Sequence, residues 1–214
     1  MALVSVSSDT SSFDNGSFDT GSSDTGSSDA REPSLREQVD GLDRAVYGAI
    51  AGAPTPSLDR AFNNLSDAAN HSGIWFVTAA LMSMTGPAGR RAAVDGLVAI
   101  AVTSAVANAV AKPLGGRRRP DRAGFQVPVA RQVKMPTSTS FPSGHSASAF
   151  AFASAVSNSW PGGGAPIRAL ATLVAYSRIH TGVHYPGDVI AGSFIGGVVG
   201  PTVAKVIRKR WARS

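Results

Sequence analysis

With 214 residues, 43% of them hydrophobic, and no cysteine, the chain is long enough for one domain and excludes disulfides, thiolate metal sites and a cysteine nucleophile. Its formal net charge is +6, but the first 30 residues hold five aspartates and no lysine or arginine, which leaves +11 on the rest. A surplus of that size selects anionic partners; no RNP-like block or helix-turn-helix pattern reads nucleic acid, so phosphate and the membrane surface remain.

Residues 1–33 are dominated by Ser, Asp, Gly and Thr, with Asp9, Asp14, Asp19, Asp24 and Asp29 recurring every fifth position. The spacing fits neither an EF-hand loop nor the glycine-rich calcium nonapeptide. So little apolar surface cannot offset ordering entropy, and a disordered tail is expected. Met1 to Ser8 has neither the basic nor the apolar part of a cleavable signal, so insertion is expected to rely on internal segments.

Residues 34–72 predict an amphipathic helical region. Apolar positions around Leu42–Val46 and Leu58–Phe62 follow helical spacing, Pro54-Thr55-Pro56 separates the two pieces, and Ser57 is available as a cap. Neither piece is long enough to cross a bilayer, so both are expected on its surface or against the bundle.

Residues 73–214 carry five apolar segments, at about 73–85, 92–111, 146–156, 167–176 and 189–206. Mean hydropathy is only +0.04, which keeps a soluble bundle in competition. Uncharged stretches recurring between charged joints, and Gly192, Gly196 and Gly200 at four-residue spacing, favour close-packed membrane helices. The expected fold is all-α: an integral membrane helical bundle with about five transmembrane helices plus N-terminal amphipathic helices. Alternating segments bring the joints after the second and fourth to one face. Lys205, Arg208, Lys209, Arg210 and Arg213 fall on the other, which the positive-inside rule makes cytoplasmic. The protein is therefore expected in the plasma membrane, multi-pass, with its site on the extracytoplasmic face.

That site face gathers three blocks. Lys112, Arg117, Arg118, Arg119 and Arg122 crowd one joint, too charged for hydrocarbon. They suit either anionic lipid or a phosphoryl group, which Arg meets as a planar fork and Lys as a point charge. Pro142-Ser143-Gly144-His145 reads as a helix start. Ser143 caps, Gly144 lets an oxyanion approach, and His145 lies in the first turn, where it can protonate a leaving oxygen or be an ordinary cap's neighbour. In the last block a carboxylate at Asp188 can fix the tautomer of His184 and leave its other nitrogen to attack phosphorus, with Arg178 as a further cation. A surface histidine beside a capping aspartate is the alternative.

Lys112-x6-Arg119-Pro120, Pro142-Ser143-Gly144-His145 and Ser177-Arg178-x5-His184-x3-Asp188 resemble the three-part signature of the type 2 phosphatidic acid phosphatase superfamily. That superfamily spans lipid phosphate phosphatases, polyprenyl diphosphate phosphatases, class A acid phosphatases and vanadium haloperoxidases. The resemblance implies an all-helical core and a phosphohistidine intermediate. His184 would be the nucleophile, Asp188 its orienting partner, and His145 the acid and later base. Lys112, Arg119, Ser143, Gly144 and Arg178 would bind the phosphoryl oxygens, with no metal or cofactor. Bacterial membrane members commonly have six spans, one more than this chain displays.

The expected activity is metal-independent hydrolysis of a lipid phosphomonoester or diphosphate. An isoprenoid carrier (pyro)phosphate or phosphatidic acid comes first. The Ala/Arg/Gly-rich style also resembles actinobacterial members, which adds decaprenylphosphoryl-phosphoribose in arabinan synthesis. The rivals are a soluble-type acid phosphatase or vanadium haloperoxidase, and a non-catalytic lipid-phosphate binder. The bilayer is the expected partner; nothing in the sequence sets the oligomeric state. His180 and His71 read as packing or interfacial residues, and Phe125–Met135 as a connector or headgroup loop.

Overall fold

The computed structural model describes residues 31–111, 113 and 116–212, of which Ser34 onward belongs to one compact unit. The tail expectation falls on residues 1–30 and one phosphate-binding expectation on Lys112; both lie outside the described residues. Seven α-helices and no strands occur among the described residues.

Helix α1 spans Leu35–Gly52 and opens on a capping box. The Ser34 hydroxyl accepts from the Glu37 amide, and the Glu37 carboxylate accepts from the Ser34 amide at 2.7 Å. Its faces are inverted relative to a soluble surface helix: Asp43 and Tyr47 point inward, while Leu35, Val39, Leu42 and Val46 form an exposed apolar row. Tyr47 packs edge-on against Phe125 and Tyr185, with ring centroids 4.9 and 5.2 Å away.

Helix α2 spans Pro56–Ala68. Ser57 does not cap it: proline suits the first helical position, so the cap falls on Thr55, which makes no side-chain cap bond. Thr55 Oγ1 instead donates to Asp59 at 3.2 Å and accepts from Arg131 at 2.9 Å. Arg131 is buried, pairs with Asp59 at 2.7 Å, and donates to the carbonyls of Ile50, Ala51 and Ala53. The connector 125–135 therefore uses this arginine to lock the α1–α2 turn, and Arg131 is unavailable to a headgroup. His180 also contacts Asp59, at 3.1 Å, as expected of a packing histidine.

A 3₁₀ turn at Asn70–Ser72, with His71 and Ser72 both at positive φ, leads into α3, Gly73–Ser83. Helix α4 runs over Pro87–Val106 and continues as a π turn over Ala107–Ala111. After the connector come α5 (Gly144–Ser159), α6 (Pro161–His180) and α7 (Pro186–Trp211).

Helix α5 is the centre of the bundle. Ala147, Ala149, Ala151, Phe152, Ala153, Ala155 and Val156 are all essentially solvent-free, against α4, α6 and α7. The glycine row of α7 makes its contact possible. A Cβ on Gly192, Gly196 or Gly200 would lie 2.2–2.4 Å from backbone oxygens of Ser143, Ala147 and Ala151, so the two backbones approach as only glycine permits. The opposite side of α7 exposes Ile190, Phe194 and Val198, and α4 exposes Val94, Val98, Val102 and Val106, each at four-residue spacing.

Among the described residues two helices are long and apolar enough to span a membrane, Pro87–Ala109 and Pro186–Arg210. The other three segments fail that test for physical reasons. Helix α3 has 11 residues, about 16 Å at 1.5 Å each, against roughly 30 Å of hydrocarbon. Helix α5 is enclosed by other helices and can be rich in Ser and Ala, and α6 opens on Pro161-Gly-Gly-Gly164 and carries Arg168.

Gly197 faces open space. Gly197→Ala is expected to keep or raise stability, by up to about 1 kcal/mol of helix propensity. Gly196→Ala is expected to lower it by about 1–3 kcal/mol through overpacking, read as melting temperature in detergent.

Candidate active site

The three blocks, 30–70 residues apart in the chain, converge. Arg119 is held by the chain around it: Nε donates to the Ser138 carbonyl at 2.8 Å, Nη1 to the Val183 carbonyl at 2.8 Å, and Nη2 to the Thr139 carbonyl at 3.2 Å. This posture sets Nη1 3.3 Å from His184 Nε2. The turn after α6 fixes His184 itself. Its amide and that of Val183 both donate to the Arg178 carbonyl, and Gly182 takes a φ of +73° that other residues seldom adopt.

Asp188 sits in the first turn of α7, three residues after the cap Tyr185, and is fully buried. One carboxylate oxygen accepts from the Tyr185 amide at 2.9 Å and from the Ser140 hydroxyl, and faces His184 Nδ1 at 3.5 Å. The other accepts from Arg117 Nη1 at 3.1 Å. Asp188's main-chain carbonyl receives the Ser143 amide at 2.9 Å, tying the start of α5 to the start of α7. His184 Nδ1 has no hydrogen-bond partner among the described residues, and the 3.5 Å separation from Asp188 is of the kind that tightens in a complex with substrate.

Arg117 extends this node to α1. It pairs with Asp43 at 2.5 Å and Asp40 at 2.6 Å, and stacks 4.1 Å from the Tyr185 ring centre. Asp43 also accepts the Gly187 amide at 2.6 Å. The acidic face of α1 thus neutralises the cation that leans on Asp188.

Burial is the largest influence on His184. Together with the charges of Arg119 and Arg178 it outweighs the stabilising carboxylate of Asp188 and pushes the imidazole down to about 4. The ring is therefore neutral at physiological pH, which a nitrogen nucleophile requires. Arg178 is itself buried; Nη1 donates to the Ser66 hydroxyl and carbonyl, and Nε has no acceptor among the described residues. Arg122 Nη2 likewise has no partner among the described residues, although the other nitrogens of this guanidinium donate to the carbonyls of Gly182 and Val133. Buried guanidinium N–H groups without acceptors are suited to an anion.

On the α5 side, Ser143 is buried and caps the helix through its hydroxyl, which accepts from the Ser146 amide and hydroxyl. A Cβ on Gly144 would meet nothing within 4 Å, so the glycine borders open space rather than a packed neighbour. His145 Nε2 donates to Asn70 Oδ1 at 3.0 Å, which orients the ring. Asn70, Asp43 and Ser140 were not legible as site residues, and Arg117 was legible as a member of the first block but not as the partner of Asp188. Their partners lie 23–144 positions away, and no local spacing announces them.

Guanidinium groups ringing a buried neutral imidazole gain their counter-charge when a phosphoryl group enters, an arrangement that at one end of an apolar helical bundle suits a membrane phosphatase. A sequence model of the PAP2 superfamily matches residues 92–212, and the chain belongs to that superfamily. It is 36% identical over 168 residues to a decaprenylphosphoryl-5-phosphoribose phosphatase of Mycobacterium tuberculosis, covering 76% of this chain and 89% of the relative. To the protein of the same name from Mycolicibacterium smegmatis it is 35% identical over 151 residues, covering 69% and 77%. Its fold is similar to that of the transmembrane PAP2 type phosphatidylglycerolphosphate phosphatase from Bacillus subtilis, with TM-score 0.62 and 22% identity over 80% of this chain and 87% of that one. LpxE of Aquifex aeolicus gives a TM-score of 0.60 at 25% identity, over 77% and 95%. The chain is a membrane lipid phosphatase and a phosphoric ester hydrolase.

The depressed His184 has a consequence for stability. As pH falls below about 6.5 the unfolded chain binds a proton that the folded site refuses until about 4, so stability drops through that window. A loss of roughly 2 kcal/mol between pH 7 and 5 is expected, and His184→Gln should flatten it; thermal melts of both proteins across pH check this.

Proposed function

We propose that the protein removes the terminal phosphate from a polyprenyl-phosphoryl sugar phosphate, as the names of its mycobacterial relatives suggest, by way of a phosphohistidine. The observation that carries this reading is the placement of His184: Nδ1 toward Asp188, Nε2 beside Arg119. In the first step the Nε2 lone pair attacks phosphorus, the P–O bond to the leaving alcohol breaks, and the proton of His145 passes to that oxygen. In the second, His145 takes a proton from water, the water oxygen attacks phosphorus, the N–P bond breaks, and inorganic phosphate leaves with His184 restored. Arg119, Arg178, the Ser143 hydroxyl and the Gly144 amide hold the equatorial oxygens, with Lys112 as a further cation.

Asp188 holds His184 in the attacking tautomer, and Arg117 with Asp43 holds Asp188. In the same reading about five helices are embedded in the bilayer, with α4 and α7 crossing it outright and α1 lying in the interface on its row of Leu35, Val39, Leu42 and Val46. The cluster of Lys205, Arg208, Lys209 and Arg210 at the far end of α7 favours a cytoplasmic position there, and so an extracytoplasmic site in the plasma membrane.

Phosphate release by detergent-purified protein across decaprenylphosphoryl-5-phosphoribose, phosphatidic acid and undecaprenyl diphosphate tests the substrate. The ribose lipid is expected to be preferred; equal or better turnover of phosphatidic acid would overturn the choice. His184→Ala is expected to be folded and inactive, and His145→Ala to lose about 10²–10⁴-fold in kcat.

A further inference from the structure

In-line attack by His184 requires the leaving oxygen on the far side of phosphorus, within reach of the acid, so the group bearing that oxygen occupies whatever space adjoins His145. The structure has such a space. A cavity of about 200 Å³ lies among α3, α4 and α5 at their site ends, bounded by Gly144 and His145 on one side and Trp75 on another. It is smaller than the roughly 300–1,000 Å³ of sites that engulf a drug-sized ligand, and suits a single small ring.

Its lining is polar where a pocket for hydrocarbon would be apolar. Ser104 and Ser148 present hydroxyls 3.4 Å apart, a long contact that leaves both with bonding capacity. Asn108, in the π turn and exposed at the cavity, adds an amide. π turns recur at functional sites because they turn a side chain out of helical register. His71 and Ser72, which also line the cavity, hold left-handed backbone conformations that non-glycine residues seldom adopt, strain of the kind retained where it positions a site. That same turn delivers Asn70 to His145.

We infer that this cavity is the leaving-group subsite and that it selects a hydroxylated, sugar-like group over an alkyl or acylglycerol one, with Asn108, Ser104 and Ser148 as the specificity-determining residues. The inference rests on the phosphatase reading of His184 and His145 and sharpens its substrate class. A ring with hydroxyls bonds the amide and both serines and lies against the Trp75 side, whereas an alkyl group displaces their water and offers them no partner beyond the one long contact between the serines. Helix α3, which supplies Trp75 to the cavity, also exposes Phe76, Val77 and Leu81, an apolar surface for a lipid tail attached to the sugar.

The test uses the full chain in detergent and two soluble phosphomonoesters of similar size, ribose 5-phosphate and n-pentyl phosphate. The readout is the ratio of their kcat/KM values. The wild-type protein is expected to favour the sugar phosphate by at least about tenfold, and Asn108→Leu to cut that ratio about tenfold. Ser104→Ala, a smaller change that keeps the helix, is expected to cut it severalfold. A wild-type ratio near one, or variants that depress both substrates equally and leave the ratio intact, would overturn the assignment. Neither soluble substrate carries a polyprenyl chain. A shifted ratio alongside preference for phosphatidic acid in the lipid comparison would therefore refute the proposed substrate and leave the subsite standing. Preference for the ribose lipid with an unmoved ratio would do the reverse.

Discussion

The structure depends on the carboxylate of Asp188. A buried, ionised carboxylate is tolerated only when its lone pairs are occupied, and here they face a hydroxyl from Ser140, an amide from Tyr185, the guanidinium of Arg117 and the ring of His184. His184 and Tyr185 come from the turn before α7, and Ser140 and Arg117 from two points between α4 and α5, so satisfying one charge assembles the site. The segment between α4 and α5 is pinned through Ser140 and Arg117. The start of α5 is pinned through the Ser143 amide on the carbonyl of the same aspartate. Helix α1 is drawn in because Arg117 needs Asp40 and Asp43 as well.

That arrangement explains how a weakly hydropathic chain makes a membrane enzyme. The polar groups are directed inward at one end of the bundle, and the apolar rows of α1, α4 and α7 are directed outward. Close backbone contact between α5 and α7, along Gly192, Gly196 and Gly200, then replaces the bulky interdigitation of a soluble core. Because the same pair of helices carries Ser143, His145 and Asp188 at its ends, the packing that stabilises the bundle also fixes the reacting groups. Rigid elements hold such geometry better than loops do, and Arg119, which is on a loop, is braced by three backbone carbonyls.

Much of this was readable in the residues. Three short blocks at the edges of apolar segments announced the converging groups, because charge cannot sit in hydrocarbon and alternating helices bring alternate joints together. The four-residue glycine row announced its own interface. What escaped was non-local. Nothing near Asp43 suggests that it serves Arg117 and the Gly187 amide, nor does the lead-in to α3 mark Asn70 as the partner of His145. Ser57 looked like a cap because serine before an apolar run commonly is one, yet Pro56 moved the helix start forward. The segment count exceeded the helices that pass as spans because enclosed helices such as α5 need not be apolar by composition.

The central claim is that His184 carries the phosphoryl group, and the direct measurement is to trap it. Turnover of a ³²P-labelled phosphomonoester by His145→Ala, quenched in alkali to preserve phosphoramidate and mapped by peptide mass spectrometry, is predicted to place one phosphate on His184. Label on any other residue, or turnover with no covalent label at any quench time, would contradict the account.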